Sequence, residues 1–296
     1  MIGNAIYKPK GKAGEYAKYA VNFYVGCSND CDYCYCKRGV LGHAMGKPFV
    51  TLKKCFKDEE DALKQFLKNL DRYLPELKQS GLFFTFTTDP MLEETRMLHW
   101  AAATHAVSKG VNVKFLTKRA DFINALYLGD LTDEARKRIA WGFTLTGHDE
   151  LEPGASTNAE RIEAMKKLHK MGFKTFASIE PVISLPESSQ MIVQTMGFCD
   201  LYKIGLLSGH KAYCKNDVVT FVLMTSQALA MFRASEALCK PHIYWKDSIF
   251  DYIGYTRKEL DEANALFTGL LVNADFDIFS ANISAEKLRN ILNLTL

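Results

Sequence analysis

The chain of 296 residues is 48% hydrophobic and 24% charged, with 37 basic against 34 acidic side chains, the balance of a soluble globular protein with one large domain or two small ones. A net charge of +3 is too small to point to nucleic acid by itself. A binding face would need local clustering, such as Lys8, Lys10 and Lys12 or Lys53, Lys54 and Lys57, and a solvated lysine-rich surface explains those clusters as well. The opening stretch MIGNAIYKPKGK has no apolar export segment. The longest uncharged run, residues 218–232, is shorter than the roughly 20 residues that span a bilayer. A cytoplasmic protein with no membrane role is therefore expected.

Residues 1–18 are basic and weakly patterned and read as an arm. Residues 20–25 have β character and lead into Cys27. Residues 37–56, with three Gly and a Pro, show no clear periodicity and read as a long loop, a kind usually functional or mobile. Residues 58–73 place Ala62, Phe66, Leu67 and Leu70 at helical spacing. A strand follows from Leu82, closed by Thr88-Asp89-Pro90, then a helix with Glu93 and Glu94 in its first turn and Gly110 beyond its end. Further strands are expected at 111–116, 139–146, 173–179 and 201–206. Helices are expected at 120–128, 132–138, 156–171 (capped by Ser156 or Thr157, closed by Gly172) and 188–196.

Strand starts near 82, 111, 139, 173 and 201 step by about 30 residues, the length of one strand plus its return helix, so the sheet should be parallel. With the strand before Cys27, six β/α units close into a full or partial barrel or lie in an open doubly wound sheet, and a partial (β/α)6 TIM-type barrel over residues 1–212 is the expectation. A mainly helical cap should follow over 213–296, with helices at 217–239, 257–272 and 284–292 and a short strand at 242–245. In such folds ligands bind at the carboxyl ends of the strands. Those ends carry Cys27, Thr88 and Asp89, Lys118, Thr144 and Thr146 with His148, Glu180, and His210.

Of eight cysteines, four fall within residues 27–36 and the others are single, the pattern of a cluster loop plus buried thiols rather than a disulfide framework. Cys27, Cys31 and Cys34 are spaced C-x₃-C-x₂-C. Three thiolates are one short of a closed tetrahedral site and leave a position for a substrate or cofactor. A zinc knuckle would need a fourth ligand, which Cys36 or His43 could supply. A fourth thiolate from Cys36 would instead make a closed, electron-transferring cluster.

The C-x₃-C-x₂-C loop after a first strand, with Tyr33 before the last cysteine, resembles the radical S-adenosylmethionine (radical SAM) superfamily. The resemblance extends to its spore photoproduct lyase-like branch. It is carried by Gly26-Cys27, Tyr33-Cys34-Tyr35, Thr88-Asp89-Pro90 with Glu94 and Arg96, Thr117-Lys118, Leu151-Glu152-Pro153-Gly-Ala with Arg161, and Glu180-Pro181-Val182-Ile183. It implies a four-iron four-sulfur cluster on Cys27, Cys31 and Cys34, whose open iron chelates SAM. A flavodoxin- or ferredoxin-like reductant would supply an electron that cleaves SAM to a 5′-deoxyadenosyl radical for hydrogen abstraction. By the same likeness Tyr33 lies against the adenine, Thr88 and Asp89 contact the methionine amino group, Lys118 its carboxylate, and Thr144 or Thr146 the ribose side. A nucleic-acid substrate is implied as well. One departure stands out: true spore photoproduct lyases carry a hydrogen-donor cysteine three residues before the motif Asp, where this chain has Phe86. The Tyr33-Cys34-Tyr35 relay pair is nevertheless present.

Each residue also has a plainer reading. Lys118 could be a solvated surface lysine, Asp89 a capped turn, and His148 and His210 exposed loop histidines. Glu180, costly if buried unpaired, would take Arg161 or Lys203 as a structural partner. Tyr35 could be a relay or a wall of the cluster pocket, and Trp245-Lys246-Asp247 part of a lid. The non-enzymatic alternative is an iron–sulfur or zinc protein acting in electron transfer or binding.

Overall fold

The structure, a computed structural model, describes residues 5–39, 42–207, 213–260, 262 and 277–279. It divides into two compact units, residues 1–144 with 148–174, and residues 145–147 with 175–296. The division thus falls well before residue 212.

In the first unit the strands are β1 (Ile6–Tyr7), β2 (Ala20–Val21), β3 (Tyr24–Val25), β4 (Thr51–Leu52), β5 (Leu82–Phe84), β6 (Val113–Thr117) and β7 (Ile139–Thr144). Its helices are α1 (Gly42–Met45), α2 (Glu59–Arg72), α3 (Leu74–Ser80), α4 (Arg96–Ser108), α5 (Phe122–Ala125), α6 (Asp133–Lys137) and α7 (Asn158–Lys170). β2, β5, β6 and β7 are parallel neighbours, with Ala20 opposite Phe83, Leu82 opposite Val113 and Val113 opposite Ile139. In the second unit β8 (Lys174–Val182), β9 (Leu201–Leu206) and β10 (His242–Trp245) are parallel as well, with α8 (Leu185–Thr195), α9 (Lys215–Ala234) and α10 (Asp247–Ile253). This is an α/β fold of parallel strands with helical returns, compatible with the expected partial barrel.

Several local expectations are corrected. The 1–18 arm contributes β1, an antiparallel partner of β2. The single strand of 20–25 is two, because the chain turns off the main sheet at Asn22. Residues 37–56 hold α1 and β4, which pairs antiparallel with β3. Glu93 and Glu94 precede α4 rather than forming its first turn, and only residues 122–125 of the 120–128 stretch are α-helical. α8 starts at Leu185, where Pro186 suits the first turn, and α9 stops at Ala234. Thr157 caps α7 in a complete capping box with Glu160. β10, expected in the cap, is a parallel neighbour of β9. Of the last two expected helices, residues 257–260 are helical and 284–292 lie outside the described residues. Among the described residues no helix is long and apolar enough to cross a membrane.

The first unit's core is aromatic. Trp141 stacks between Phe115 and Phe122 at centroid distances of 4.6 and 4.7 Å, and each such ring buried contributes about 1.5–3 kcal/mol. Beneath β3, the imidazole of His99 on α4 lies among Phe23, Tyr24 and Phe84, 5.4–5.9 Å from their centroids. Burial pushes its pKa from 6.5 down to about 3. The folded state therefore holds the ring neutral while the unfolded chain protonates it below pH 6.5. Its contribution is complete above that pH and is lost toward pH 3, at about 1.4 kcal/mol per pH unit. Urea unfolding at pH 7.5 and 5.0 should show a smaller acid loss for His99→Phe than for wild type.

Candidate active site

The cysteine loop is held by its backbone. At Asn22 the side-chain Oδ1 accepts from the Thr85 hydroxyl (2.5 Å) and the Phe86 N–H (2.8 Å), while its Nδ2 donates to the Tyr7 hydroxyl (2.8 Å). These bonds let the chain leave β2 without orphaning polar groups. β3 then pairs with β4, and the Cys27 N–H donates to the Lys47 carbonyl at 3.0 Å. Gly26 sits at φ +81°, and a Cβ there would stand 2.0 Å from the Phe49 carbonyl oxygen; only glycine fits. On another flank lies the segment 149–156. The Asp32 N–H donates to the Leu151 carbonyl (3.0 Å) and the Gly154 N–H to the Asn29 carbonyl (3.1 Å). A Cβ at Gly154 would meet the Ser28 oxygen at 2.0 Å.

Asp89, at the end of the β5 segment, ties this loop to β6. One carboxylate oxygen accepts from Asn29 Nδ2 and the Lys118 N–H, both at 2.7 Å. The other accepts from the Thr117 hydroxyl (2.6 Å) and the Met91 N–H (2.9 Å). Four donors are the full complement of a carboxylate. Asp89 is thus neither a simple capped turn nor, as arranged here, open to a further amino group. Next to it, the buried hydroxyl oxygen of Thr88 has no hydrogen-bond partner among the described residues, a gap that a bound polar group would fill.

The Tyr33 hydroxyl donates to Glu152 Oε1, and Glu152 Oε2 accepts from Arg161 Nη2. Both partners of that ion pair have 0% side-chain exposure. Arg161 also donates to the Thr144 carbonyl at 2.6 Å, so the pair links the cysteine loop, the 149–156 segment and the end of β7. The Lys118 ammonium lies 5.4 Å from the Tyr33 ring centroid. Burial works against its charge, but Tyr33, Cys31 and Glu152 hold its pKa well above the lysine range. It is a fixed cation over an aromatic face, not a solvated surface lysine.

The three thiols differ. Burial, reinforced by the Asp89 charge, pushes Cys27 up to about 12, and burial raises Cys31. A hydrogen bond from Cys36 brings Cys34 down to about 6 and leaves the proton on Cys36. Among the described residues no three His, Cys, Asp or Glu side chains converge as ligands of a single ion. Three soft thiols on one loop suit a polynuclear cluster instead, where each thiolate takes its own iron. The Tyr35 hydroxyl and, at 3.7 Å, the Cys36 thiol both point to the Phe86 carbonyl. The Tyr35 side chain is 62% exposed. The Phe86 ring stacks on Phe83 at 4.4 Å.

In the second unit Glu180 pairs with Lys246 at 2.6 Å, a partner that the expectation of Arg161 or Lys203 did not name. Gly205 leaves the room: a Cβ there would stand 3.0 Å from both side chains. The Lys203 ammonium lies 5.6 Å from the Tyr244 ring centroid. Thr146 is buried in this unit, whereas Thr144 is in the first; His148 there pairs with Glu150 at 2.7 Å. His210 lies outside the described residues.

Sequence reasoning missed the supporting half of this site: Asn22, Asn29, the β3–β4 hairpin and the Glu152–Arg161 pair as a structural unit. Glycines at 26 and 154 were its available signal. Removing one partner of the buried pair should cost about 3–5 kcal/mol. Arg161→Met should therefore lose that much in urea unfolding, and Glu152→Gln combined with Arg161→Met should recover most of it.

No family model matches the chain. An uncharacterized protein of Methanocaldococcus jannaschii is 27% identical over 207 residues, covering 65% of this chain and 71% of that one. Among solved structures, Streptococcus suis SuiB bound to S-adenosylmethionine is 14% identical with a TM-score of 0.50, covering 82% of this chain and 54% of SuiB. A spore photoproduct lyase with bound AdoMet and dinucleoside spore photoproduct is 17% identical over 66% of this chain and 58% of that chain. Its TM-score of 0.48 is too low to carry a fold argument. The chain thus spans between half and three fifths of these solved proteins. The likeness to the S-adenosylmethionine-bound SuiB structure is one of fold.

Proposed function

We propose that this protein is a radical SAM enzyme. Cys27, Cys31 and Cys34 would hold a four-iron four-sulfur cluster that, when bound, supplies the electron for reductive cleavage of SAM to a 5′-deoxyadenosyl radical. The observation that carries the reading is the clamped loop of three thiols, joined through Asn29 to Asp89, beside the partnerless hydroxyl of Thr88. In this reading the chain's own residues do the binding. The Tyr33 ring gives the adenine an apolar face, Lys118 offers a point charge to the methionine carboxylate, and the Thr88 hydroxyl takes the amino group. Asp89, its lone pairs occupied, acts by positioning Lys118 and the loop. Thr144 or Thr146 would serve the ribose side. Tyr35 is the proposed radical relay, and Glu180, paired with Lys246, a substrate contact, with His210 as a further candidate.

Hydrogen abstraction from a nucleic acid is the substrate reading that the resemblance favours. Phe86, whose ring is occupied with Phe83, argues against photoproduct reversal by a thiol at that position. After anaerobic reconstitution, about four irons per chain and absorbance near 400 nm are expected. Dithionite plus SAM should then give 5′-deoxyadenosine in wild type and none in Cys31→Ala. Lys118→Met should keep the iron content while weakening SAM binding at least tenfold. One zinc per chain with no chromophore would refute the reading. For the substrate, binding of single- or double-stranded DNA or RNA at low salt is the first measurement, and its absence would remove nucleic acid.

A further inference from the structure

We infer that the cations of residues 35–39 and 42–57 form a basic docking surface for an acidic one-electron carrier of the flavodoxin type. The inference rests on the radical SAM reading, which requires one electron per cleavage. The segment carries six cations (Lys37, Arg38, Lys47, Lys53, Lys54 and Lys57) and no Asp or Glu. Lys37 is paired with Asp30 at 2.6 Å and the acidic run Asp58-Glu59-Glu60-Asp61 follows the segment, so the local excess rests on Lys47, Lys54 and Lys57. All of these but Lys53 are exposed, and among the described residues Lys47, Lys54 and Lys57 have no acidic partner within ion-pair distance. Phe49, 53% exposed, lies under the Lys47 ammonium at 5.3 Å and supplies the apolar centre that a small redox interface uses.

The described part of the segment is attached directly to the cysteine loop. β4 pairs with β3, the Lys53 N–H donates to the Phe23 carbonyl at 2.9 Å, and the Phe56 ring packs on Phe23 at 6.0 Å. The Lys47 carbonyl holds the Cys27 N–H, so a carrier resting on Lys47 and Phe49 is one hydrogen bond away from a cluster ligand. Substrate, in contrast, must reach the Thr88, Lys118 and Tyr33 side of the loop. Five lysines and one arginine suit steering by point charge better than bidentate reading of phosphates, and such encounters are fast, weak and salt-dependent. The step transfers one electron: reduced flavodoxin is oxidised by one electron, the cluster gains it, and it is then spent in breaking the sulfonium carbon–sulfur bond of SAM.

The test compares two reductants on the reconstituted full chain. With dithionite, K47E/K54E should form 5′-deoxyadenosine at the wild-type rate. With photoreduced flavodoxin, the variant should be at least tenfold slower than wild type, and the wild-type rate should fall steeply as salt is raised. K54E/K57E, which leaves the Lys47–Phe49 contact intact, guards against a folding defect, and flavodoxin-driven bleaching near 400 nm reads the electron transfer without SAM cleavage. Equal flavodoxin-driven bleaching in variants and wild type overturns the proposal. So does loss of single-stranded DNA binding in the variants with flavodoxin-driven bleaching intact, which would assign the surface to nucleic acid. Failure of wild type to cleave SAM with dithionite would instead strike the radical SAM reading.

Discussion

One carboxylate organises the first unit. Asp89 accepts four hydrogen bonds from three separate segments: Asn29 in the cysteine loop, Met91 in its own turn, and Thr117 and Lys118 at the end of β6. Each is a hydrogen bond to a charged group, worth about 1.5–3 kcal/mol when formed and more when broken in a buried place. A loop bearing three thiols has little apolar content with which to fix itself. Its position must therefore come from polar contacts, and Asp89 together with the backbone bonds to Lys47, Leu151 and Gly154 provides them.

The same economy of polar groups explains the Glu152–Arg161 pair. Two fully buried charges are seldom a source of net stability, but this pair spends its remaining hydrogen bonds on the Tyr33 hydroxyl and the Thr144 carbonyl. It fixes the ring that carries the Lys118 ammonium. The second unit repeats the device on a smaller scale, with Glu180 and Lys246 fitted against Gly205. In both units, charged side chains that look like independent candidates in the sequence are bound in pairs.

That pairing marks the limit of what sequence reading could reach. Strand and helix positions from residue 82 to 206 were legible because their apolar periodicity is strong and their caps, such as Thr157 with Glu160, are local. The cysteine loop was legible because its spacing is itself the ligand pattern. The segment 37–56 was not, because a four-residue helix and a two-residue strand leave no periodic trace. Lys246 was not anticipated as a partner of Glu180 because nothing in the sequence tells which of several basic residues lies across a strand.

The sequence by itself determined the α/β class, the parallel order of the strands and the three thiols, since repeat length, hydrophobic period and cysteine spacing are properties of the chain read locally. Only the tertiary structure decided that Asp89 holds the loop rather than standing open, that Lys118 lies over Tyr33, that Cys36 donates to Cys34, and that a basic hairpin carries the loop's outer backbone. The Asp89 and Lys118 contacts join residues from about 30 to 85 positions apart, and the desolvation that raises the Cys27 and Cys31 thiols exists only once the chain has closed around them.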